Sequence, residues 1–117
     1  MDLFLYCLEK IHMETIKIPE VIFGGPNVNA ELTSVEQGEQ MRKKMEEYFG
    51  KVETILCDFT GVETVSLTFV EECFGKLFDA RKDGDSYTGI QYWNTKDKIK
   101  KMIAGVVMQR SKLIPQP

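Results

Sequence analysis

Apolar positions along the chain switch between a loose two-residue alternation and a helical spacing, and the switches mark out its elements. Between Thr15 and Phe23 the apolar residues are Ile16, Ile18, Val21 and Phe23, arranged around Pro19. Proline has no N–H to donate to a ladder, so this stretch is expected as an edge strand or as two short strands, with an antiparallel edge hairpin as one arrangement. Gly24-Gly25-Pro26 then signals a turn, and Asn27 and Asn29 a polar loop. Ser34 with Gln37 three residues later has the spacing of a capping box. Met41, Met45, Tyr48 and Phe49 follow on one helical face, opposite Arg42, Lys43, Glu46 and Glu47. That spacing predicts a helix from about Val35 to Phe49, stopping at Gly50.

From Val52 to Phe59 the rhythm changes, with Ile55, Leu56 and Cys57 in succession. A short continuous apolar run fits a central strand covered on both faces. Thr60 to Val65 reads as a turn. Phe69, Val70, Cys73, Phe74, Leu77 and Phe78 then return at helical spacing and predict an amphipathic helix ending before Asp83-Gly84-Asp85. Tyr87 to Trp93 reads as another strand. Thr95 is placed to cap a last helix whose apolar positions are Ile99, Met102, Ile103, Val106 and Val107. Alternation of strands and helices at these lengths implies an α/β fold with right-handed crossovers. About four strands in a mostly parallel sheet and three helices are expected, with an edge hairpin or an extra N-terminal element at the start.

At 117 residues, with 43% hydrophobic and 28% charged residues, the chain has the balance of one globular domain. Residues 13–110 are expected to form it. Residues 1–12 are read as an extension or peripheral element and 111–117 as a flexible tail. The apolar stretch Leu3 to Leu8 follows Asp2 instead of a basic segment and is too short to span a bilayer. Cys7, Cys57 and Cys73 make an odd count, and the last two sit in apolar runs, which points to a reducing, cytoplasmic setting. Net charge is −3, unevenly placed: residues 1–93 hold 9 basic and 17 acidic side chains, residues 94–117 hold 6 and 1. Lys96, Lys98, Lys100, Lys101 and Arg110 are read as a solvated face. With no aromatic residue after Trp93 they lack the stacking groups of a nucleic-acid surface, and neither a nucleic-acid nor a membrane partner is expected.

Most catalytic readings lack their parts. His12, in the N-terminal segment, is the single histidine, so no metal cluster of His, Cys and carboxylates is expected, and neither a nucleophile elbow nor a Cys with a plausible base partner is present. Gly24-Gly25-Pro26 has neither the Lys-Ser/Thr of a phosphate loop nor a GxGxxG pattern. Asp58 and Glu63 as an acid/base pair would rest only on proximity in an acid-rich chain. No enzyme, cofactor or metal is expected.

The turn between the central strand and the second helix holds a more coherent set. Asp58-Phe59-Thr60-Gly61-Val62 closes the strand, Ser66 and Thr68 bring hydroxyls, and Glu71 lies three residues after Thr68. Thr68 and Glu71 have capping-box spacing, which reads Thr68 as a helix cap. The segment from Cys57 to Leu77 resembles the central motif of STAS-like domains, a domain-of-unknown-function relative of the bacterial anti-sigma factor antagonists, and Ser34 to Met45 fits the same pattern. In those antagonists an Asp-Ser-Ser-Gly-type turn carries a serine that a kinase partner phosphorylates. Aligned on Asp58 and Gly61-Val62, that stretch falls on Ser66, Leu67, Thr68 and Phe69, and only Thr68 keeps a serine-position hydroxyl. The resemblance implies a non-catalytic regulatory module in signalling or transcription regulation. It would dock a protein partner, such as a histidine-kinase-like ATPase or a signalling regulator, through Asp58, Gly61, Ser66, Leu67, Thr68, Phe69 and Glu72. Thr68 and Ser66 are the phosphorylation candidates. The alternative is a small-molecule or nucleotide sensor between the Asp58 turn and Gly24-Gly25. A weaker one is self-association through Tyr87 to Trp93.

Overall fold

The computed structural model describes residues 11–25, 29–81 and 88–112. In chain order these form β1 (Ile11–Lys17), α1 (Ile18–Phe23), β2 (Ala30–Leu32), α2 (Val35–Glu46), β3 (Val52–Asp58), β4 (Val62–Val65), α3 (67–81), β5 (Gly89–Trp93) and α4 (Asp97–Lys112). Ile11 and His12 thus already belong to β1. Residues 1–10 and 113–117, the Asp83-Gly84-Asp85 stop and Tyr87 lie outside the described residues.

The fold is mixed α/β with parallel pairing throughout the described strands. β3 is central in a three-stranded sheet of order β1-β3-β5, and β2 pairs with β4 in a second sheet. The central placement of the Ile55-Leu56-Cys57 run is as its composition predicts. Three expectations are corrected. There are four helices among the described residues, not three. The strands divide three and two instead of forming one sheet of four. No antiparallel hairpin occurs among the described residues.

The start of the chain departs from its reading because of Pro19. Proline's fixed φ suits the first turn of a helix, where its missing N–H would go unused anyway. Ile18–Phe23 is accordingly a short helix with Pro19 in that turn and with Ile18 and Pro19 buried. Gly24 closes it at φ +83, in the left-handed region that glycine adopts without a Cβ penalty, and donates its N–H to the Glu20 carbonyl. β2, just past the polar loop expected at Asn27 and Asn29, and β4, expected as a turn, are three and four residues long, too short to display a period. Their pairing surfaces only in three dimensions, where Ala30 and Leu32 are buried beside Val62 and Val65.

Helix α2 begins as predicted. Ser34 Oγ accepts from the Gln37 N–H, and the Gln37 side chain accepts from the Ser34 N–H. Regular turns end at Glu46, and Gly50 reverses the chain at φ +80. Helix α4 does not begin at a Thr95 cap, because the Thr95 hydroxyl donates backwards to the Trp93 carbonyl. Lys96 supplies the first accepting carbonyl instead, to the N–H groups of Ile99 and Lys100.

The strand order advances in one direction, so crossovers of a single hand place the helices on a single face. Helices α2, α3 and α4 pack side by side. Ile16, Cys57 and Tyr92 lie in register across the sheet and face them, with the Tyr92 ring 6.0 Å from Phe74. The next row, Thr15, Leu56 and Gln91, points the other way, as do the exposed Met13, Lys17 and Trp93. Cover on both faces of β3 was expected from its composition; among the described residues the helices supply it on one. The core joins Ile55, Cys57 and Phe59 to Met41, Met45, Phe69, Val70, Cys73, Leu77, Ile99, Ile103 and Val106.

Candidate functional site at the start of helix α3

The turn leaving β3 is built by Asp58. Its carboxylate accepts from the backbone N–H of Thr60, at 2.9 Å, and from the Thr60 hydroxyl. This local loop of bonds is what an aspartate at a turn start provides. Gly61 follows at φ +89, a conformation in which a side chain is strained, and its carbonyl accepts from the Ala30 N–H. Asn94, itself left-handed at φ +50, donates from Nδ2 to Thr60 Oγ1 at 2.7 Å, and the Phe59 N–H bonds the Trp93 carbonyl. Asp58 and Gly61 therefore shape the turn, and the loop after β5 braces it.

β4 then delivers the chain to Ser66, whose N–H donates to the Leu32 carbonyl. Here the capping reading is corrected. Ser66 is the cap: its backbone is extended and its hydroxyl accepts from the Phe69 N–H at 3.2 Å. Thr68 is already the second residue of the helix's first turn, exposed, and caps nothing. Its expected partner Glu71 is taken by Arg110 of α4.

The predicted surface divides in two. Leu67 is 57% exposed and Thr68 is exposed beside it, while Phe69 is completely buried. Phe69 therefore offers a partner nothing and instead anchors the turn from below, a correction to its place among the docking residues. Glu72 is largely covered. Its carboxylate meets Arg42 of α2 at 3.4 Å and Lys76 at 2.9 Å, so it joins helices instead of projecting from them.

Helix α3 is α-helical over Leu67–Val70, widens into a π turn over Glu71–Gly75, and resumes over Lys76–Arg81. Such wide turns occur often at functional positions. Arg110, read from sequence as part of a solvated face, spans this one. Its guanidinium bonds Glu71 and Asp79 and passes directly over Gly75, where a Cβ would stand 3.1 Å from it. The hydrogen bond to Glu71 is the chief reason the guanidinium is held still more firmly in its charged form. Lys96 likewise has partners, the Glu63 carbonyl and carboxylate, both at 3.2 Å. Sequence reasoning missed Trp93, Asn94 and Arg110. Only the strand-then-Asn order at Trp93-Asn94 hinted at a tight left-handed exit.

Neither a metal-holding cluster of His, Cys, Asp and Glu nor a helix long and apolar enough to cross a membrane occurs among the described residues. Cys57 and Cys73 are free and buried, and burial pushes the Cys57 thiol up to about 12, far from a reactive thiolate. An open cleft of about 420 Å³ runs along β1 between Glu14, Lys17, Glu20, Lys44 and Tyr48. It is not lined by the Asp58 turn or by Gly24-Gly25, where a sensor pocket was expected.

No curated protein and no solved structure matches the chain. A family model, the STAS-like domain of unknown function (DUF4325), matches residues 37–100, from helix α2 through the capped turn into helix α4. That span takes in the central strand, the Asp58–Ser66 turn and the π-widened helix, and the chain belongs to this STAS-like family.

Proposed function

We propose that the chain is a non-catalytic regulatory module that docks a protein partner through the exposed start of helix α3, at Leu67 and Thr68. The observation that carries this reading is the pairing of an exposed leucine with a rigid base. Leu67 is 57% exposed, while Phe69 and Val70, which follow the exposed Thr68, are fully buried and Ser66 caps the helix. An apolar side chain held out on an ordered support loses little conformational freedom when a partner covers it. Membership of a STAS-like family supports a regulatory role. The resemblance to anti-sigma factor antagonists supplies the partner class, a histidine-kinase-like ATPase or signalling regulator.

Of the two phosphorylation candidates, the geometry favours Thr68. Ser66 Oγ is engaged in the cap, whereas Thr68 is exposed. A phosphate on Thr68 would bring about −1.5 to −2 charges to a helix start, where the dipole favours an anion. Glu71 and Glu72 would repel it, but both already face cations, Arg110 on one and Arg42 with Lys76 on the other. The added charge would act by altering the docking surface and not the fold. The nucleotide-sensor alternative has less behind it, since ligand crevices in open α/β sheets form where strand order reverses, and β1-β3-β5 does not reverse.

The test is affinity capture with wild type, Leu67→Glu and Thr68→Asp, each checked for an unchanged thermal midpoint. A partner recovered by wild type and lost with both variants is the expected result. Equal recovery by all three would remove this turn as the docking site.

A further inference from the structure

The lysines at the start of helix α4 stand apart from the other helix lysines. Lys43 sits 2.8 Å from Glu39, Lys44 3.5 Å from Glu47, and Lys76 2.9 Å from Glu72. Lys98, Lys100 and Lys101 are exposed and have no carboxylate partner among the described residues, although Asp97 lies within a turn of them. They also lie at the wrong end of their helix. The first turns of a helix carry partial positive charge and favour Asp and Glu, so cations there lower stability. Like charges three apart add to the cost. Nothing within the described fold compensates them, unlike Arg110 and Lys96, which reading by charge alone grouped with them.

We propose that Lys98, Lys100 and Lys101 form a docking surface for an acidic polypeptide segment of a partner. This assigns a second surface beyond the Leu67–Thr68 turn and does not depend on that reading. Charge complementarity selects the occupant. The cluster lies on a chain whose residues 1–93 carry 17 acidic against 9 basic side chains, so a long polyanion such as nucleic acid would be repelled over most of the surface. Helix α4 has no aromatic residue to stack on bases. Of its apolar residues, Ile99, Ile103 and Val106 are buried in the core and Met102 and Val107 are half-buried, and the exposed Met108 lies about two turns beyond the lysines, so no continuous apolar stripe stands beside them to enter a lipid interface. Lys98 and Lys101 share a face at i, i+3 spacing, which a pair of carboxylates at i, i+3 or i+4 matches, while Lys100 lies round the helix from Lys98 and adds to the local positive charge.

The experiment uses the full chain and a fluorescein-labelled helical peptide carrying glutamates at i, i+4 and i+7, titrated at low salt. The variants are the triple Lys98→Gln, Lys100→Gln, Lys101→Gln and a control triple of equal charge change, Lys43→Gln, Lys44→Gln, Lys51→Gln. Removing cations from a helix start does not threaten folding, and thermal midpoints verify this. The expected result is peptide binding weakened at least about tenfold by the α4 triple and less than about twofold by the control. Equal loss in both triples, or no binding by wild type, overturns the proposal. So does tighter binding of single-stranded DNA or phosphatidylserine vesicles through the same lysines, or self-association in light scattering that the α4 triple abolishes.

Discussion

Two hydroxyl residues two positions apart have unequal work at the start of α3. Ser66 Oγ satisfies the Phe69 N–H, one of the four donors a helix start leaves open. Thr68 makes no such bond. Ser66→Ala is therefore expected to lower stability by about 1 kcal/mol, and Thr68→Ala to change it by less than about 0.5 kcal/mol, both read from urea denaturation midpoints. A reversed order would mean that the helix begins at Thr68 in solution. The sequence favoured Thr68 because Thr-x-x-Glu matches the capping box, while Ser66 has Phe69 at that position. What decides the matter is non-local. The Ser66 N–H is still bound to Leu32 of the neighbouring strand, so the helix starts immediately after it, and Arg110 has drawn Glu71 away. Neither partner is within a turn's reach in sequence.

Helices α2 and α3 pack tightly where Gly38 meets α3. A Cβ on Gly38 would lie 2.8 Å from Glu72 Cβ and 3.0 Å from the Phe69 carbonyl oxygen. Both are anchored atoms, one at the root of a side chain and the other in the backbone, so the helices themselves would have to part. Ala in place of Gly gains about 1 kcal/mol in helix propensity, yet overpacking costs about 1–3 kcal/mol. Gly38→Ala is accordingly expected to destabilise, visible as a lower thermal midpoint, and to loosen the Arg42–Glu72 contact that bridges the same helices. A rise in midpoint would show that the crossing is wider than described. At this scale the sequence was informative where elements are long. The capping box and apolar face of α2, the run that became β3 and the apolar face of α4 were all legible. Short or context-bound elements were not. β4 has four residues and no readable period, α1 was masked by the ambiguity of Pro19, and the π turn leaves the helical spacing of Phe69 to Phe78 superficially intact.

The sheet and the helix layer meet around two thiols and a phenol, which makes the molecule's alkaline behaviour a test of its core. Cys57 on β3 and Cys73 on α3 are buried, with Cys73 Sγ 3.9 Å from Met45 Sδ, and Tyr92 on β5 is packed against Phe59 and Phe74. Burial raises all three: the Cys57 thiol from 9.0 to about 12, Cys73 well above its ordinary value, and the Tyr92 hydroxyl upward as well. Each group binds its proton more tightly folded than unfolded. Below about pH 9 both states hold their protons and the core keeps its full stability; as pH rises above that, the unfolded chain ionises first and stability falls until the folded values are reached. The loss is up to about 1.4 kcal/mol per pH unit for each group in its window. The urea midpoint should thus be level from about pH 7 to 8.5 and fall steeply from about pH 9 to 10.5. Cys57→Val, close in volume, should make the fall shallower by about one proton without moving the onset much. A midpoint level through pH 10.5 would mean that these thiols are no more protected folded than unfolded, and that β3 and α3 do not close over them as one core.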